Sequence, residues 1–216
     1  MSSTANHAAA YPQTQVLPTN KVIQNTYTLL SMTLLFSALT AGISLVLLLT
    51  LGGYFGLLFL TNKLRNSGWG LLSIFALTGF MGYTFGPILN MYLALPNGAQ
   101  VVMSSIAATG GIFLGLSLYA LSSRRDLSFM GGFLMAGLLV AFMAGLSAVF
   151  FDMPGLSLVV SAMFVLLMAG LILYQTSSLI HGGETNYIMA TVTLYVSIFN
   201  LFTSLLHLLG VVSSND

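Results

Sequence analysis

The chain has 216 residues, of which 57% are hydrophobic and 4% charged, with a net charge of +1 and no cysteine. A soluble domain carries about 25% charged residues, so this composition belongs to an integral membrane protein with no room for a separate soluble domain. The absence of any basic cluster argues against nucleic acid as a partner, and the absence of cysteine excludes disulfides, a thiol nucleophile and a thiolate metal site.

Residues 1–25 are small and polar, with Pro12 and Pro18 and no charge before Lys21. Such a segment cannot bury a core and predicts a disordered tail. It lacks the basic region and short apolar core of a cleavable signal peptide. From Thr26 to Thr61 the chain is apolar for about 36 residues, too long for one span and short for two. Ala41-Gly42-Ile43-Ser44 is the weak point that divides it, and Thr33, Ser37, Thr40 and Ser44 form a polar stripe on the first of the two helices. Charge placement supports the division. Two helices before Lys63 put Lys21, Lys63, Arg65, Arg124 and Arg125 on one side of the membrane, which the positive-inside rule makes cytosolic.

A third span is expected over Trp69–Leu93, kinked at Gly86-Pro87, with an outward turn at Pro96-Asn97-Gly98. The fourth runs over Val101–Leu121 and the fifth over Phe129–Phe151, which ends at the outer turn Asp152-Met153-Pro154-Gly155. Leu156–Ile180 and Tyr187–Leu209 form the last pair, each longer than the roughly 20 residues a bilayer requires. The fold class is thus all-α: a polytopic membrane protein whose seven-helix domain covers residues 26–212, with the amino end inside and the carboxyl end outside. Small residues spaced four apart, at Gly52/Gly56, Gly82/Gly86, Gly111/Gly115 and Gly132/Ala136, predict close helix contacts.

The last span carries Thr193, Ser197, Asn200, Ser204 and His207 at steps of four, three, four and three, all on one face. Polar groups facing lipid have no water to bond, so the stripe should face protein or a wet cavity, making this helix the core post of the bundle. On the preceding span Ser161, Met168 and Gln175 recur every seven residues, and Gln175 is expected within reach of Ser197 and Asn200. Two readings of this seam stay open: hydrogen-bond glue between helices, or a path for ions or protons. The hairpin His181-Gly182-Gly183-Glu184 joins the two spans. His181 and Gly182 suit a helix end and Glu184 a helix start, and the same four residues are also a candidate interaction surface.

Catalytic patterns are missing. There is no His-Glu-x-x-His, every carboxylate lies in a predicted loop or terminus, and no phosphate loop or dinucleotide fingerprint occurs. Gly-x-Ser occurs at Ser117, Ser147 and Ser157, but only His207 shares the outer side with the last two, and nothing in the sequence orients it. No catalytic, metal or cofactor residue is expected.

The hairpin His181-Gly182-Gly183-Glu184-Thr185-Asn186-Tyr187-Ile188, followed by Ala190-Thr191-Val192 and Leu194-Tyr195-Val196-Ser197, resembles the bacterial inner-membrane branch of the Bax inhibitor family. Asn25-Thr26-Tyr27, Gly86-Pro87-Ile88-Leu89-Asn90, Tyr92-Leu93, Gly131-Gly132 and Leu134-Met135-Ala136-Gly137 extend the resemblance over nearly the whole chain. It implies a seven-helix fold with the last helix surrounded by the other six. It also implies a non-enzymatic role at the inner membrane, in association with the membrane-bound FtsH protease as its modulator and substrate. Calcium-leak members of the family carry an acidic residue in the sixth helix and another in the seventh. Here those positions resemble Gln175 and Ser197, which do not titrate in the physiological range. A calcium or proton leak is therefore the alternative function, weakened by the missing acidic pair.

Overall fold

Long apolar runs separated by Gly-, Pro- and Asn-bearing turns leave the backbone little choice in lipid, where every N–H and C=O must be bonded internally. The computed structural model describes residues 45–214, which form six helices. These are α1 (Leu45–Leu64), α2 (Trp69–Leu93), α3 (Gly98–Ser123), α4 (Met130–Phe150), α5 (Pro154–Ile180) and α6 (Tyr187–Ser214). The first expected span and the tail over residues 1–25 lie outside the described residues, among which the count is six helices rather than the expected seven. The chain divides into two compact units after Leu49; α2 to α6, and α1 from Thr50 onward, belong to the second. Five helices, α2 to α6, are long and apolar enough to cross a membrane.

The observed boundaries differ from the expected ones mainly at helix starts and at the end of the last helix. Helix α2 fills the expected stretch and continues through Pro87. Helix α5 starts at Pro154 rather than Leu156, because proline in a first turn sacrifices only an N–H that has no intrahelical partner. Helix α3 starts at Gly98, and α6 continues past Leu209 to Ser214. Apolar runs mark the hydrocarbon thickness, whereas helices extend into the interface.

Helix α6 packs against α5, α3 and α2. Its Ile188 and Val192 also join Ile74, Leu77 and Met81 of α2 in a cluster that Tyr54, Leu57 and Leu58 of α1 cover. Deeper in, Met168 and Ile172 of α5 meet Leu201 of α6, while Phe85 of α2 lies edge-on to Phe199 and Phe202 of α6. Helix α4 packs on α5. Its Phe133 and Val149 are more than 70% exposed, as suits side chains that lipid would cover.

The glycines that admit close contact are not those the spacing singled out. A Cβ on Gly52, Gly56, Gly82, Gly86, Gly111, Gly115 or Gly132 would meet nothing within 4 Å among the described residues. Gly53, Gly70 and Gly210 press on Phe80, Ile188 and Tyr92, and a reciprocal pair lies between α4 and α5. Leu167 fills the notch at Gly137 and Leu134 fills the notch at Gly170, where a Cβ would come within 2.6 and 2.7 Å of a leucine methyl. Spacing identifies a helix face, and only the tertiary fold decides what that face meets.

The alternation of helices brings the α1–α2, α3–α4 and α5–α6 turns to one end of the bundle. Lys63, Arg65, Arg124 and Arg125, the basic residues among those described, are all at that end.

Candidate functional site

The α5–α6 hairpin holds the three turns of that end together. Gly182 adopts φ +73°, a left-handed conformation that lets α5 stop at His181 and reverse. The N–H groups of Gly183 and Glu184 then return to the Ser178 carbonyl at 2.9 and 3.4 Å. Asn186 begins α6: its Oδ1 accepts the N–H groups of Ile188 and Met189, both at 3.1 Å. Glu184 acts one step back, accepting the N–H of Asn186 at 2.8 Å, so its carboxylate holds the capping residue rather than the helix itself.

From this hairpin, contacts reach both neighbouring turns. The Asn186 amide donates to the Arg65 carbonyl at 3.0 Å and to Asn66 Oδ1 at 2.9 Å. On the other side, Ser177 Oγ, near the end of α5, donates to the Arg125 carbonyl at 2.9 Å and accepts the Leu127 N–H at 3.0 Å. His181 sets Nδ1 2.9 Å from the Ser177 carbonyl and Nε2 3.1 Å from the Arg124 carbonyl. Arg124 itself has φ +48°, the left-handed conformation that non-glycine residues rarely adopt. Asp126 completes the α3–α4 turn. The Ser128 N–H, which Oδ1 accepts at 2.9 Å, is the main reason its carboxyl is held below the ordinary range; the Ser128 hydroxyl and the nearby His181 ring act in the same direction.

The seam residues lie where the stripe predicts, but they bond differently. Ser197 and Ser204 are buried, while Thr193 and Asn200 are half-buried. Thr193 Oγ1 donates to the Met189 carbonyl at 3.0 Å, Ser197 Oγ to that of Thr193 at 2.8 Å and Asn200 Nδ2 to that of Val196 at 2.8 Å. Each bond closes one turn back on the same helix. The expected bonds from Gln175 to Ser197 and Asn200 do not form. Gln175 is buried at 6% exposure, and among the described residues its amide has no hydrogen-bond partner. The carbonyl one turn back is always in reach of a helical hydroxyl, whereas a neighbouring helix must approach closely to compete.

The side-chain bond that does cross from α5 to α6 is one the sequence left unseen. His207 Nδ1 lies 2.7 Å from Ser161 Oγ, which also donates to the Ser157 carbonyl at 3.0 Å. His207 is thus oriented, contrary to expectation, though by none of the Gly-x-Ser serines. Equal steps of roughly four turns along the two antiparallel helices then set Gln175 level with Thr193. A hollow of about 390 Å³ opens beside this bond, walled mostly by apolar side chains such as Phe142, Leu146 and Phe164, with Ser157, Ser161, Asn200, Thr203 and Ser204 along one edge. Among the described residues no group of three His, Asp or Glu side chains could hold a metal.

Residues 19–214 match the family described as inhibitor of apoptosis-promoting Bax1. The chain is 48% identical over 213 residues to the Escherichia coli protein named modulator of FtsH protease YccA, covering 95% of this chain and 97% of that one. It is 56% identical over 202 residues to an uncharacterized Pseudomonas aeruginosa protein, covering 90% and 91%. A Vibrio cholerae protein named only as an uncharacterized membrane protein is 45% identical over 210 residues, covering 94% of each chain. With five membrane-length helices and a family match that runs almost end to end, the chain belongs to the Bax inhibitor family.

Proposed function

We propose that this protein is a non-enzymatic, multi-pass component of the bacterial inner membrane that binds and modulates the FtsH protease and also serves as its substrate. The observation that carries this reading is the near full-length similarity to the E. coli protein whose name is modulator of FtsH protease. In this reading the chain crosses the bilayer seven times, with a first span ahead of α1, the amino end cytosolic and the carboxyl end periplasmic. Supporting the orientation, Lys63, Arg65, Arg124 and Arg125 gather at the end that carries the α5–α6 hairpin. The hairpin residues His181, Gly182, Gly183 and Glu184 would then face the compartment in which an ATP-driven protease works.

Residues 1–25 serve as the initiation handle. An extended residue spans at most about 3.3–3.6 Å, so such a tail reaches many tens of ångströms from the membrane. The alternative, a calcium or proton leak along α5 and α6, has less to rest on. Among the described residues Asp126, Asp152 and Glu184 all lie in turns, and the seam positions hold Gln175 and Ser197. The test is co-purification from native membranes together with pulse–chase turnover. The FtsH complex is expected to accompany the full chain, and deletion of most of residues 1–25 is expected to leave the bundle folded but slow its degradation. A tagged protein that brings down no FtsH, and whose turnover is the same with and without the tail, would refute the reading.

A further inference from the structure

Among the described residues, the His181 ring meets two hydrogen-bond acceptors and no donor. Nδ1 faces the Ser177 carbonyl at 2.9 Å and Nε2 faces the Arg124 carbonyl at 3.1 Å. Neutral imidazole carries one N–H and can donate to one of them, leaving the lone pair of the other nitrogen pointed at a carbonyl oxygen. Imidazolium donates to both. We propose that His181 is a proton-operated clamp, which when charged fastens the α3–α4 turn to the end of α5 and when neutral lets go of one of the two.

The surroundings fit a group meant to change charge. His181 is exposed, so protons reach it from solvent. It ends α5, where the last carbonyls favour a cation. The facing turn brings Arg124, Arg125 and Asp126, of which Asp126 interacts electrostatically with the ring. On His181's own hairpin, Glu184 is engaged with the Asn186 N–H, and the α1–α2 turn contributes Lys63 and Arg65.

The same turn has a second anchor that does not titrate, Ser177 Oγ between the Arg125 carbonyl and the Leu127 N–H. The one N–H left on neutral His181 stays with the shorter contact inside its own helix end, 2.9 Å to the Ser177 carbonyl against 3.1 Å to that of Arg124, so loss of the proton frees the Arg124 end of the turn without detaching the whole. Arg124 is also where the turn is held in its left-handed conformation, so release has a local backbone relaxation to drive it. The clamp depends on neither the protease reading nor the direction in which the chain crosses the membrane.

Trypsin supplies the test, because the turn contains Arg124 and Arg125 while Lys63 and Arg65 give an internal reference in the same digest. The full chain in lipid nanodiscs is digested briefly at several values between pH 5.5 and 8, the range in which histidine side chains change charge. The ratio of cleavage after Arg124 and Arg125 to cleavage after Lys63 and Arg65 cancels the protease's own pH dependence. With one charge-assisted hydrogen bond at stake, the ratio is expected to rise about threefold to tenfold from acid to alkaline. His181→Ala should hold the ratio high and flat, whereas Ser177→Ala should raise it at every pH and keep the slope. A flat ratio in the unmodified protein, or an unchanged slope in His181→Ala, overturns the clamp.

Discussion

Replacing Asn186 by alanine removes two kinds of bond at once, and their sizes can be worked out separately. The Oδ1 cap on Ile188 and Met189 is an N-cap interaction, with a cost of about 1 kcal/mol when the capping residue becomes alanine. The two amide bonds to Arg65 and Asn66 are solvent-exposed, so each contributes toward the low end of the usual range, about 0.5–1 kcal/mol. Together Asn186→Ala should cost about 2–3 kcal/mol, which for a chain of this size lowers the melting temperature by about 5–10 °C. Asn186→Asp keeps the acceptors and adds a negative charge at a helix start, but it turns an acceptor toward the Arg65 carbonyl. It should lose roughly half as much. Trp69, the sole tryptophan, begins α2 just after the Arg65–Asn66 turn, so its fluorescence during thermal unfolding in detergent reports the region directly. If Asn186→Ala melts with the unmodified protein, the tie between the hairpin and the α1–α2 turn contributes nothing and the reasoning fails. If Asp and Ala melt alike, the cap is not the separable part described.

Gly137→Ala should destabilise the α4–α5 contact by about 1–3 kcal/mol, since its new Cβ meets Leu167 at 2.6 Å; Leu167→Ala in the same chain should recover part of the loss, measured as a double-mutant cycle of unfolding. Because hydrogen bonding from Ser128 lowers the Asp126 carboxyl, its contribution to the α3–α4 turn is present above the ordinary carboxylate range and is lost as pH falls through the lowered value. Asp126→Asn should therefore remove an acid limb from the Ser128 amide exchange profile, after correction for intrinsic rates. In liposomes the protein is expected to pass calcium at background level at both neutral and acidic pH, because a dehydrating cation needs fixed negative charge or a dense ring of oxygens. A pH-dependent calcium flux from the unmodified protein would make the seam a conduit.

Much of the architecture was readable because lipid imposes simple rules. Trp69–Leu93 could be marked out residue for residue, and the step pattern of Ser197 and Ser204 correctly foretold their burial. The pattern could not say where their hydroxyls bond, since periodicity gives direction around a helix and not the distance to the next one. Gly137 and Gly170 were overlooked for the same reason: they sit on different helices and matter only through the leucines that face them. The hub was the least legible part. Ser177 lies 52 residues from Arg125, and Asn186 lies 121 from Arg65, so no local pattern connects them. Asn186 as a cap was within reach of sequence reasoning, as an asparagine directly before an apolar run. The pairing of Ser161 with His207 required the register of two antiparallel helices, which the hairpin length suggests only loosely.

The self-contained bonding of α6 has a mechanical corollary. Thr193, Ser197 and Asn200 donate to carbonyls on their own helix, so sliding or twisting α6 against its neighbours breaks none of those bonds. Among the described residues, the hydrogen bonds that do tie α6 to its neighbours are few: the Asn186 tie at one end, the Tyr195 hydroxyl to the Thr78 carbonyl at 3.4 Å between, and the Ser161–His207 bond toward the other. A force applied along the helix would therefore break few hydrogen bonds, each at a discrete position, and would meet most of its drag in the apolar side chains packed between them, such as Phe199, Leu201 and Leu206.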